Sequence, residues 1–259
     1  MTEPVPLAAL AAGRVAFSAF LALIVTAAYL DLRRLLAPSG HALTAVLGAS
    51  GAGGFMWSGY TGRLELLGTT AAALVMALLV TRVVAHEVRG DATGATQDVA
   101  ATLAAAGVTG ILGAHVLLIR GVEGVGLRSL VAFGLMVVAT DVAGFAVGRW
   151  RGRHRLAPRL SPTKTREGAV AGFCAAVAVG AVAGIVWNPP FDLRSGTALG
   201  AGMGALAIVG DLAFSALRRG AGRKGSASHL GPAGGALYVV DGILFAAPAF
   251  YWALRTLAL

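Results

Sequence analysis

The sequence predicts an all-α polytopic membrane bundle of about eight transmembrane helices, and three observations predict it. Hydrophobic residues fill 57% of the 259 positions and charged residues only 13%, about half of the ~25% usual in a soluble domain. The apolar residues form long continuous runs rich in Gly and Ala, without the alternation of a barrel strand. The basic residues collect in short segments between those runs, where Lys and Arg set orientation and meet anionic head groups. The formal net charge of +9 therefore points to membrane lipids and not to nucleic acid.

The spans are expected over 7–30, 40–57, 66–86, 98–119, 128–148, 168–187, 196–217 and 234–257, each near the ~20 residues that cross a bilayer core. The first lacks a basic leader and a small-residue cleavage site, so it reads as a retained helix and not a signal peptide. The second is short and Gly-rich. The first four carry no chemical motif, and residues 1–127 are read as an N-terminal helical region. The fifth opens the region 128–259, where the motifs lie. The sixth and seventh hold small-xxx-small pairs, Gly180 with Gly184 and Gly200 with Gly204, which let helix backbones approach closely.

Orientation follows from the loops. Arg149, Arg151, Arg153, Arg155, Arg159, Lys164 and Arg166 fall in one, and Arg218, Arg219, Arg223 and Lys224 in another. Two spans separate these loops, so they share a side, and the positive-inside rule makes that side cytoplasmic. Arg33 and Arg34 count back to the same side, the loops near Gly59 and Val122 to the other, and both termini lie outside. The expected location is the inner, or plasma, membrane. The single Cys174 excludes a disulfide framework and reads as a small apolar packing residue. His41, His86, His115, His154 and His229 show no metal-ligand spacing.

Carboxylates are scarce, so their places are informative. Asp141, Asp211 and Asp241 fall within expected spans. A carboxylate there marks either a functional site or an internal ion pair, with Arg149 or Arg218 as partner. Acidic groups that hold Mg²⁺, beside Arg and Lys that neutralise phosphate, suit transfer at a polyphosphate.

The motifs are more specific. Asp141-Val-Ala-Gly-Phe-Ala-Val-Gly-Arg149 resembles the "D-x-G-A-Y-x-x-G-R" helix of the phosphatidate cytidylyltransferase family. Leu156-Ala-Pro-Arg-Leu-Ser-Pro-Thr-Lys-Thr-Arg-Glu-Gly168 resembles that family's "L-A-P-x-I-S-P-x-K-T-W-E-G". Gly210-Asp211-Leu-Ala-Phe-Ser215-Ala-Leu-Arg218-Arg219 is similar to "G-D-L-x-E-S-x-x-K-R", and Lys224, Gly234, Gly235 and Asp241 follow in order. The resemblance covers roughly residues 128–257. It departs at Arg166 (family Trp), Phe214 (Glu), Gly225 (Asp), Pro232-Ala233 (Gly-His) and Tyr238-Val239 (Asp-Arg). Gly225 and Tyr238 cannot replace a hard anionic ligand.

The resemblance implies a membrane enzyme that transfers CMP from CTP to phosphatidic acid with Mg²⁺, and a homodimer. It implies catalytic roles for Asp211, Asp241 and Lys224, and metal binding by Asp141, Asp211 and Asp241. Substrate binding falls to Ser161, Lys164, Thr165, Glu167, Ser215, Arg218, Arg219, Gly234 and Gly235. Ser161 and Thr165 also suit helix caps, and Glu167 a first-turn carboxylate. Two alternatives stay open: an inactive relative that keeps phosphate binding or regulates an active one, and a small transporter.

Overall fold

The structure, a computed structural model, describes residues 13–37, 41–89, 94–221 and 235–257. Among them are eight helices and one short hairpin. The helices are α1 (Arg14–Leu36), α2 (Ala42–Thr61), α3 (Glu65–Arg89), α4 (Ala95–Gly121), α5 (Gly126–Arg151), α6 (Arg166–Val186), α7 (Leu193–Gly220) and α8 (Ala236–Leu257). Between α5 and α6 lie β1 (Arg155–Ala157) and β2 (Ser161–Thr165). All but α2 are long and apolar enough to cross a membrane. The all-α membrane bundle expected from the sequence is the observed fold. Five glycines in the twenty residues of α2 dilute its hydropathy.

Two differences from expectation have physical causes. The first span is expected over 7–30, whose start lies outside the described residues, yet α1 continues past Asp31, Arg33 and Arg34 to Leu36. Those charges do not end the helix because protein groups receive two of them. Arg33 is 5% exposed and bonds Asp98, while Asp31 accepts a bond from the backbone of α8. The second difference is the hairpin. Pro158 follows Ala157, and the Leu160 N–H donates to the Ala157 carbonyl at 3.1 Å. This is a β-turn with Pro at its second position. Pro162 is tolerated in β2 because a two-stranded sheet has a free edge.

The described residues form two compact units. One lies within 1–118 and 226–239, the other within 119–225 and 240–259. In the first, α2 packs against α1, α3 and α4. A Cβ added at Gly110 of α4 would lie 2.9 Å from the Ala52 Cα, so the backbones of α2 and α4 touch. A buried polar network ties the four helices together. Arg33 Nη2 donates to Asp98 Oδ1 at 2.8 Å and to Thr44 Oγ1 at 2.8 Å, and Arg33 Nε donates to Thr102 Oγ1 at 3.2 Å. Arg82 of α3 closes the network on Asp98 Oδ2.

In the second unit α6 packs between α5 and α7. A Cβ at Gly180 would stand 2.9 Å from the Gly200 Cα, so the small-xxx-small pairs are the seam between α6 and α7. Phe133 of α5, Phe191 and Phe250 of α8 are fully buried, with ring centroids 5.0 Å apart for Phe133–Phe250 and 6.2 Å for Phe191–Phe250. An Asp192–Ser195 capping box starts α7, and Ser195 holds the Asp192 carboxyl below the ordinary aspartate value by hydrogen bonding. Cys174, expected to pack inside, is exposed on α6.

Candidate active site

The hairpin after α5 aims its second strand back at the bundle. Lys164 is the fourth residue of β2 and is partly buried. Its ammonium contacts Asp211 Oδ2, on α7. Two turns along α7, Arg218 reaches the same carboxylate, with Nη2 3.9 Å from Asp211 Oδ1. Arg218 Nη1 also lies 3.7 Å from Asp241 Oδ2 on α8, and Nη2 donates to Ser215 Oγ at 3.0 Å. Asp141, on α5, and Asp241 both attract the Lys164 ammonium. Burial nevertheless pulls Lys164 below the ordinary lysine range, and Arg218 acts in the same sense. Two carboxylates, Asp211 and Asp241, thus pair with two cations, and the exposed Asp141 acts on Lys164 by charge alone, from four separate elements of one unit.

Asp241 is 6% exposed. Its Oδ1 accepts from the Gly242 N–H at 2.8 Å. Its Oδ2 is buried and has no hydrogen-bond donor among the described residues. Arg218 Nη1, at 3.7 Å, pairs with it by charge but is too distant to hydrogen-bond, so a cation at closer range would satisfy it better. Mg²⁺ is usually held by one or two carboxylates, with water and phosphate oxygens completing its shell. Asp241 and Asp141 fit that demand, with Asp211 engaged by Lys164. An all-protein cage does not fit, because no three His, Cys, Asp or Glu side chains converge among the described residues.

The remaining sequence-predicted residues divide sharply. Thr165 caps α6 by accepting from the Gly168 N–H at 3.1 Å. Ser161 opens β2 opposite Ala157 and is buried. Glu167 turns to His154, with Oε1 2.7 Å from Nδ1 and both oxygens near the His154 N–H. Arg219 Nε donates to the Leu160 carbonyl and ties the hairpin tip to α7. These contacts shape the loop around Lys164. Gly235 belongs to the other unit, has φ +83° and lies beside the Asp31 carboxylate. Lys224, Gly225, His229, Pro232, Ala233 and Gly234 lie outside the described residues. Phe214, where the resemblance has Glu, is buried at 3% exposure.

Sequence reasoning missed Asp31, which accepts from the Leu237 N–H at 3.3 Å, one residue before Tyr238. It also missed the Arg33–Asp98–Arg82 network. The available signal was the rule applied to Asp141: a charge inside an apolar run demands a partner.

A sequence model of the cytidylyltransferase family matches residues 2–257, including the first half, where no motif was legible. The phosphatidate cytidylyltransferase of Brucella suis is 39% identical over 142 residues, covering 52% of this chain and 49% of its own. That of Synechocystis is 33% identical over 126 residues, covering 49% and 42%. That of Bacillus subtilis is 29% identical over 136 residues, covering 52% and 51%. The chain spans about half the length of the curated relatives it matches.

Proposed function

Because the chain belongs to the cytidylyltransferase family, we propose that it transfers CMP from CTP to phosphatidic acid, giving CDP-diacylglycerol and pyrophosphate. A phosphate oxygen of the lipid attacks the α-phosphorus of CTP. The bond from that phosphorus to the bridging oxygen of the β-phosphate breaks, and the electron pair leaves with pyrophosphate. The observation that carries this reading is the cluster of Lys164, Arg218, Asp211 and Asp241, formed by the residues of the family motifs.

Such a reaction needs positioning and charge stabilisation more than covalent chemistry from the protein. Lys164 and Arg218 are the groups that face the triphosphate. Asp211 holds both in place, and their charges oppose the negative charge that develops on the leaving pyrophosphate. The hairpin fixes Lys164 through the Thr165 cap, the Glu167–His154 contact and the Arg219 tie. Mg²⁺ belongs to this reading, with Asp241 and Asp141 as its protein ligands; when bound it would neutralise triphosphate charge and polarise the phosphoryl oxygens. The reading places the site at the cytoplasmic side of the inner membrane, where CTP is available, and takes the acceptor from the lipid phase.

The test uses purified protein in mixed micelles of detergent and phosphatidic acid, with CTP and Mg²⁺. CDP-lipid formation is expected, and Asp241→Asn is expected to abolish it while leaving the protein folded. Turnover unaffected by Asp241→Asn would remove that carboxylate from the site. Stoichiometric CTP binding with no product, beside a working family enzyme in the same micelles, would favour a binding protein over an enzyme.

A further inference from the structure

The opposite end of the α5–α6 pair carries a second polar group that the proposed reaction does not use. The hairpin joins the end of α5 to the start of α6. The start of α5 therefore lies a full 26-residue helix away, about 39 Å at 1.5 Å per residue. There a cleft of about 590 Å³ opens, lined by Arg120, Arg128, Trp187, Val122, Leu127 and Val131. That volume falls within the ~300–1,000 Å³ of small-molecule sites.

The two arginines are not neutralised. Arg128 donates to the Pro189 carbonyl at 3.0 Å and to the Gly124 carbonyl at 3.3 Å, which orients its guanidinium without cancelling its charge. Arg120 Nε is buried and has no acceptor among the described residues. No ion pair among those residues involves either arginine, although the exposed Glu123 is only three positions from Arg120. Both arginines are half-buried, and a guanidinium charge at a membrane boundary that no carboxylate meets favours an anion. The first turn of α5 opens at the cleft, where the Gly126 and Ser129 N–H groups already donate to the Val122 and Val125 carbonyls, and the helix dipole favours the same sign of ligand. Trp187 is the residue type that settles at the head-group level. Val122, Leu127 and Val131 supply an apolar flank that a free inorganic ion would not need.

We propose that this cleft binds the phosphate group of an anionic membrane phospholipid, with Arg120 as its ion-pairing residue and Arg128 as its oriented second donor. The bound lipid is distinct from the substrate: it sits at the other membrane face and undergoes no reaction.

The experiment measures phosphatidylglycerol binding to delipidated protein in detergent, by native mass spectrometry and by the rise in Tm on titration. Phosphatidylglycerol is chosen because it is not the proposed substrate. Arg120→Gln is expected to weaken binding by about tenfold or more, the loss of one charge-assisted contact, and Arg120→Lys to retain most of it. Lys164→Ala is expected to bind like the parent, which separates this site from the reaction site and keeps the result independent of turnover. Val131→Phe, which narrows the apolar flank and leaves both charges, is expected to weaken binding even if Arg120→Gln fails to fold. Millimolar inorganic phosphate is expected not to displace the lipid. Equal binding by parent, Arg120→Gln and Val131→Phe would overturn the proposal. Displacement by inorganic phosphate with the same dependence on Arg120 would overturn the lipid assignment in favour of a free anion.

Discussion

Asp211 holds two cations at once, Lys164 through Oδ2 and Arg218 across 3.9 Å from Oδ1, so neutralising it disturbs the whole cluster. Lys164→Ala removes a cation expected to be strongest against transition-state charge. A fall in kcat of about 10²-fold is expected, the scale of losing one preorganised electrostatic donor, read by steady-state CDP-lipid formation. Thr165→Ala acts through the fold instead. It removes the cap on the Gly168 N–H and is expected to cost about 1 kcal/mol of stability, read from the thermal midpoint. The cluster of Lys164, Asp211, Arg218 and Asp241 was legible because Asp211, Asp241 and Lys164 are rare residue types set in or beside apolar runs. The Thr165 cap was legible as well, but the contacts of Glu167 with His154 and of Arg219 with Leu160 were not, because a motif shows which residues recur and not whether they meet a ligand or a backbone.

The helices depend on close approach and on buried charge, and each makes a prediction. Along the α6–α7 seam a side chain at Gly180 would collide with the backbone at Gly200. Gly180→Val is expected to destabilise by roughly 3 kcal/mol, since an overpacked backbone contact cannot relax by rotamer change. Loss of the monodisperse peak after detergent extraction reads this. In the other unit, Asp98→Ala would leave the buried Arg33 and the half-buried Arg82 without their carboxylate, at a cost of about 3–5 kcal/mol. Replacing Arg33 by Met on the Asp98→Ala background is expected to recover part of that loss, because one uncompensated charge goes with it. The glycine pairs were visible in the sequence, but their partners were not, because spacing names a face and not its neighbour. The hairpin escaped notice because its turn is a single Ala-Pro-Arg-Leu step inside a basic loop.

At the scale of the molecule, eight apolar runs match the eight helices among the described residues and their class, since continuous hydrophobicity is a signal that packing cannot override. The helix ends were less legible. Arg33 and Asp31 lie inside α1 because groups distant in sequence receive them, and no local pattern reports that. Orientation is testable directly. On a Cys174→Ala background, Arg153→Cys sits beyond the end of α5 and Glu123→Cys before its start. A membrane-impermeant maleimide added to intact spheroplasts is expected to label Glu123→Cys and to spare Arg153→Cys; the reverse pattern would place the basic loops outside. The central claim, nucleotidyl transfer to a lipid, is tested most directly by following the label of CTP in micelles containing phosphatidic acid and Mg²⁺. With the label on the α-phosphate it is predicted to enter the lipid phase, and with the label on the γ-phosphate to leave as pyrophosphate, both slowed about 10²-fold in Lys164→Ala. Label from the γ-phosphate in the lipid, or no lipid label from either nucleotide while CTP still binds, would contradict the account.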